Sequence, residues 1–123
     1  MEFLDSNIIV NAFYENKHRE QCQNAIREGG ITNTFCLAEA FYILEKIVDR
    51  DTAQESVKTL LKSNLEVIEV DIEIIFEVLK RIRKYKLNIF DMVHYITALL
   101  NNCTAILSYD KDFDHLEIPR HEP

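Results

Sequence analysis

The run "ILSYDKDFDHLE", residues 106–117, sets Asp110, Asp112, Asp114 and Glu117 behind a short apolar stretch. Asp5 stands in the same way after "EFL", Asp91 follows "LNIF", and Glu39 lies inside an apolar segment. Each has a structural use on its own. Asp after a strand starts turns and caps helices, and a Glu at the margin of an apolar stripe reaches out to water. Together they would do something else: carboxylates that share a partly desolvated site raise one another's pKa, and a divalent cation removes that conflict. Hard oxygen donors suit Mg²⁺ or Mn²⁺, ions that keep waters for a phosphate to displace.

Convergence depends on the elements that carry these acids. "EFLD" reads as a short strand ending in Asp5, and "SNIIVNAFY" as a helix with Ser6 or Asn7 near its cap. "REQCQNAIRE" continues helical until Gly29 and Gly30 stop it, and "ITNT" is a β-branched strand. "FCLAEAFYILEKIVDR" has helical spacing from Phe35 to Arg50, and "DTAQESVKTLLKSN" follows as a second helix with Asp51 as cap. "LEVIEV" alternates as a strand. "DIEIIFEVLKRIRKYK" is an amphipathic helix with a basic end, "NIFDMVHYITALLNN" a further helix, and "TAILSY" a strand.

Strands alternating with helices predict an α/β domain, a mostly parallel sheet covered by helices on both faces. Right-handed crossovers bring all strand C-termini to one edge, so Asp5 and Asp110 meet there, where open α/β sheets place ligands. Asn88 can cap the helix that holds Asp91 in its first turn, which points into the same crevice.

The 123 residues are one domain's worth, and two glycines and two prolines leave no sign of an internal linker. No apolar run nears the ~20 residues needed to span a bilayer, and "MEFLDSN" is acidic where a signal peptide is basic, so a cytoplasmic location is expected. Cys22, Cys36 and Cys103 form no C-x-x-C pair and read as free buried thiols. His18, His94, His115 and His121 are not paired at metal spacing, and His94 reads as a packed helix residue near Asp91. A net charge of −7 speaks against holding nucleic acid by a broad basic surface, which leaves metal ions or the basic segment "KRIRKYK" to meet phosphate.

Spread along the whole chain, "FLDSNIIVNAF", "CLAEAFYIL", "LNIFDMVHYITA" and "ILSYDKDFDHL" resemble in order the acid-bearing segments of PIN domains, metal-dependent ribonucleases found as single small domains in VapC-type toxins. The resemblance implies a three-layer α/β/α fold over residues 1–123. It implies a Mg²⁺ or Mn²⁺ site built from Asp5, Glu39, Asp91 and Asp110, with Asp112 as a possible fifth acid. Ser6 and Ser108 take positions where hydroxyls would orient carboxylates. It further implies an RNA substrate, a cognate antitoxin as partner and a homodimer. Within "KRIRKYK", Arg83 and Lys84 are the candidate phosphate contacts, against the alternative of a solvated helix end that complements the dipole.

Other classes stay open. "DKDFD" resembles the start of a calcium loop, but His115 stands where that turn needs Gly and His121 where it needs Glu. A dehalogenase-type phosphatase has no room after Asp110. A receiver-like domain with Asp71 as phosphoacceptor fits the length but leaves Glu39 and Asp91 without a role. A non-toxin RNA-processing nuclease and a purely interacting module complete the alternatives.

Overall fold

The sheet runs in the order β3-β2-β1-β4-β5 with every neighbouring pair parallel, in a computed structural model that describes Met1–Pro123. Its strands are β1 (Glu2–Leu4), β2 (Gly30–Asn33), β3 (Leu65–Ile68), β4 (Ala105–Leu107) and β5 (Arg120–His121). The helices are α1 (Ser6–Asn11), α2 (Arg19–Glu28), α3 (Thr34–Ile47), α4 (Arg50–Leu61), α5 (Ile72–Arg81) and α6 (Ile89–Leu100). The α/β class and the parallel sheet are as expected. No helix is long and apolar enough to cross a membrane.

The connections from β1 to β2 to β3 step one way along the sheet, and those from β3 to β4 to β5 step the other way. Right-handed crossovers therefore put α1–α4 on one face and α5 and α6 on the opposite one. Packing follows that division: α1 rests on α2 and α3, α3 rests on α4, and α5 pairs with α6. β1 and β4 are consequently buried on both sides; Phe3, Leu4, Ile106 and Leu107 belong to the core. The order reverses between β1 and β4, so the crevice past their C-termini is the switch point of the sheet.

The structure departs from the sequence reading at several places, among them four with a visible reason. Helix α1 stops at Asn11 rather than running on through Tyr14, because the Asn16 side chain donates to the carbonyls of Asn11 and Tyr14 and turns the chain. The cap of α4 is Asp49, not Asp51: its carboxylate accepts the Thr52 N–H at 2.6 Å, and Asp51 lies in the first turn. Helix α5 ends at Arg81 and tightens into a 3₁₀ turn over Ile82–Lys84 instead of reaching Lys86. Strand β5 was not anticipated, since the polar pair Arg120–His121 pairs with β4 through the backbone and carries no strand-like alternation.

Candidate active site

β1 and β4 are in register with Leu4 opposite Leu107, so the residues that follow each strand, Asp5 and Ser108, emerge side by side. The buried Ser108 Oγ donates to Asp5 Oδ2 at 2.7 Å and accepts from the Asn7 amide and from the Asp110 N–H, both at 3.0 Å. One hydroxyl thus ties the first acid to the last. Asp5 caps α1, its Oδ1 accepting the Ser6 N–H at 2.8 Å, and Asn7 Nδ2 also reaches Oδ2 at 3.3 Å. Ser6 therefore holds Asp5 through its backbone, whereas its hydroxyl makes no hydrogen bond to a site residue.

Asp91 sits in the first turn of α6. Asn88 grips it twice, its Oδ1 accepting the Asp91 N–H at 2.9 Å and its Nδ2 donating to Asp91 Oδ2 at 3.1 Å. Capping and site-building coincide here, because the cap fixes where the carboxylate points. Asp110 in turn caps the 3₁₀ turn Lys111–Phe113 by accepting the Asp112 N–H at 2.9 Å. Asp91, Asp110 and the exposed Asp112 bring carboxylate oxygens within 4.8 Å of one another; Asp5, Cys36, Glu39 and His94 form a second such group.

Electrostatics joins the two groups into one acidic cluster. Asp91, only 9% exposed, is raised to about 6, first by burial and then by the charges of Asp5, Asp110 and Glu39, which outweigh the opposite pull of His94. Asp5 is raised too, chiefly by burial, with Glu39 adding and His94 and the Ser108 hydrogen bond lowering it. Four chain segments thus bring Asp5, Glu39, Asp91 and Asp110 close enough that Asp91 feels the charges of the other three.

Glu39 is steered by a neighbour to which sequence reasoning gave no such part. His94 is wholly buried, stacks on Phe3 at 5.8 Å between ring centres, and its Nε2 lies 2.6 Å from Glu39 Oε1. Its Nδ1 is 3.1 Å from Asn33 Nδ2 and 3.5 Å from Cys36 Sγ. Burial works against a charged ring, while Cys36, the Glu39 hydrogen bond and Asp5 pull toward one. The largest of those pulls lapses, because burial also raises the Cys36 thiol and leaves the sulfur uncharged at neutral pH. His94 has both ring nitrogens engaged in hydrogen bonds, and the Cys36 thiol is wholly buried behind it, a soft donor that Mg²⁺ and Mn²⁺ do not prefer. The remaining donors are carboxylate oxygens, the set that fits Mg²⁺ or Mn²⁺. A signal for His94 existed in the sequence: it lies three residues after Asp91 in one helix, hence on a neighbouring face.

The basic segment divides in two. Lys80 and Arg81 both pair with Glu77, at 3.3 and 3.4 Å, whereas Arg83 and Lys84, exposed in the 3₁₀ turn, make no ion pair.

This fold has known counterparts. The model of the PIN domain family matches residues 3–119. The chain belongs to the PIN domain family. Among solved structures, this PIN domain superposes on VapC20 of Mycobacterium tuberculosis, a sarcin-ricin-loop-cleaving toxin, with a TM-score of 0.84 at 12% identity and full coverage of both chains. A chain from a toxin–antitoxin complex of Klebsiella pneumoniae gives 0.76 at 16% identity, again with 100% of each chain covered. One from VapBC2 of Rickettsia felis, bound to a DNA fragment from its promoter, gives 0.74 at 20% identity, covering 98% of this chain and 97% of that one. Comparison with curated protein sequences gives no match. At these identities the likeness is one of fold.

Proposed function

We propose that this PIN domain is a metal-dependent endoribonuclease, and that it acts as the toxin of a type II toxin–antitoxin pair, restrained by a cognate antitoxin. The carrying observation is the meeting of Asp5, Glu39, Asp91 and Asp110, from four separate segments, where the charges of the other three raise Asp91. Such a cluster makes chemical sense as a site for a divalent cation. Family membership supports a nuclease, and the activity and assembly of the structural relatives point to RNA and to an antitoxin.

Asp5, Glu39, Asp91 and Asp110 would hold the ion, with Asp112 at the rim. When bound, a divalent ion supplies Lewis-acid stabilisation of the scissile phosphate and a water nucleophile at neutral pH. The protein's part is to fix the donors. Ser108 aims Asp5, Asn88 aims Asp91, and Asp110 is braced by the turn that it caps. Preorganised carboxylates keep the cost of assembling the site out of the reaction step.

Metal binding is expected to stabilise the fold by linkage. At a free Mn²⁺ concentration about 100 times its Kd the gain is about 2.7 kcal/mol, or a rise in Tm of roughly 8 °C for a domain of this size. A thermal melt with and without the ion reads it. An unmoved Tm across millimolar Mg²⁺ and Mn²⁺ would return the acids to capping and solvation.

The net charge of −7 makes local cations necessary for an RNA backbone. Because Arg83 and Lys84 are free of ion pairs, they are the proposed phosphate contacts. Replacing both with Ala should weaken binding across RNA sequences and flatten the log–log salt dependence by about one unit for each phosphate that is no longer neutralised. An unchanged slope in a folded variant would assign the pair to the helix end alone. The toxin role has its own test: induction in a bacterial host without the antitoxin should arrest growth and fragment RNA, and the antitoxin should relieve both. Unaffected growth with an active nuclease would favour an RNA-processing role instead.

A further inference from the structure

The hydrogen bonds around His94 run in one direction. The Cys36 N–H can only donate, and it donates to Asn33 Oδ1 at 2.8 Å, so the amide orientation of Asn33 is set. Its Nδ2 must then face Thr97 Oγ1 and His94 Nδ1, both at 3.1 Å. Thr97 cannot reverse the chain, because its hydroxyl proton is spent on the Val93 carbonyl at 2.7 Å. Nδ2 therefore gives one hydrogen to Thr97 and one to His94, and Nδ1 accepts. The ring proton is left on Nε2, aimed at Glu39 Oε1 2.6 Å away. The other Glu39 oxygen, Oε2, makes no hydrogen bond.

We propose that His94, locked by Asn33 and Thr97, is the positioning residue for Glu39: its Nε2–H clamps Oε1 and leaves Oε2 as the oxygen available to a divalent ion. Glu39 is the carboxylate that needs such a clamp. Asp5, Asp91 and Asp110 sit at helix or turn starts with backbone or amide partners, whereas Glu39 stands in the middle of α3 on a longer side chain, 31% exposed, with His94 as its sole partner. Removing the clamp frees rotamers that metal binding must then order. The inference rests on the metal reading of the cluster.

The test is an Mn²⁺ titration followed by electron paramagnetic resonance, run beside RNA cleavage as a function of Mn²⁺, on wild type, His94→Leu and His94→Gln. Leu fills the ring's space without a donor, and Gln restores an N–H near the position of Nε2. His94→Leu should bind Mn²⁺ about 10- to 100-fold more weakly, with cleavage at saturating Mn²⁺ returning to within a few-fold of wild type. His94→Gln should recover most of the affinity. A folded His94→Leu that binds Mn²⁺ as wild type does, or a folded His94→Gln no better than Leu, overturns the role of His94 and leaves the metal site standing. Wild type that binds no Mn²⁺ removes the metal reading and the clamp with it. Should His94→Leu fail to fold, the ¹⁵N shifts of the wild-type ring decide: a proton on Nε2 sustains the clamp, and a bare Nε2 overturns it.

Discussion

Replacing Asp5 with Asn should reduce RNA cleavage by at least ~100-fold, since loss of a charged ligand removes several kcal/mol of metal-derived stabilisation of the transition state. The fold should survive. Asn retains an oxygen for the Ser6 N–H, so the cap of α1 persists. The sign of the stability change follows from the raised pKa of Asp5. A carboxyl whose folded pKa exceeds its unfolded value favours the fold at low pH and works against it once pH rises past the folded value. At neutral pH the buried charge is thus unfavourable without metal, and Asn removes it, offsetting the loss of the hydrogen bonds that Oδ2 accepts from Ser108 and Asn7. In chelator at neutral pH the variant should melt at or above the wild-type temperature while gaining nothing from Mn²⁺. A variant that cleaves at the wild-type rate would sink the proposed mechanism.

Gly30→Ala should damage the fold itself. Gly30 begins β2 at φ +126°, and a Cβ there would stand 2.5 Å from the Glu2 carbonyl oxygen and 3.3 Å from Leu4 Cδ1. The first is backbone of β1, which is held in register between β2 and β4 and leads directly into Asp5. It cannot retreat without opening the central ladder or moving the first acid. Left-handed strain plus the clash should cost about 3 kcal/mol or more, a fall of roughly 10 °C in Tm. Urea denaturation checks it, and an unchanged midpoint would contradict the close approach of β2 to β1.

The acids were legible because they obey rules that a single chain displays. Asp5 directly follows an apolar strand and Asp110 stands three residues past another, Asp91 follows an asparagine at capping distance, and parallel topology sends strand ends to one edge. Glu39 was less so, since its place beside an apolar stripe fits a solvated margin equally well. The supports of the site were hidden for a different reason. Asn7 and Ser108, Asn33 and His94 meet across long separations in sequence, and no periodicity encodes which amide faces which ring. β5 escaped because backbone pairing, not side-chain patterning, makes it a strand. The two aspartates in "VDRDT" are equally good caps on paper, and only the Thr52 N–H chose Asp49.

Four carboxylates from four segments that form one divalent-metal site for RNA hydrolysis make the activity depend wholly on the ion. The most direct measurement is cleavage of a defined RNA by the purified protein, first stripped with chelator and then given back Mg²⁺ or Mn²⁺, with the new RNA ends mapped. Cleavage should vanish in chelator, return with either ion at the same phosphodiester positions, and fail to return for Asp5→Asn or Asp91→Asn. Undiminished cleavage in chelator by the same protein would contradict that dependence.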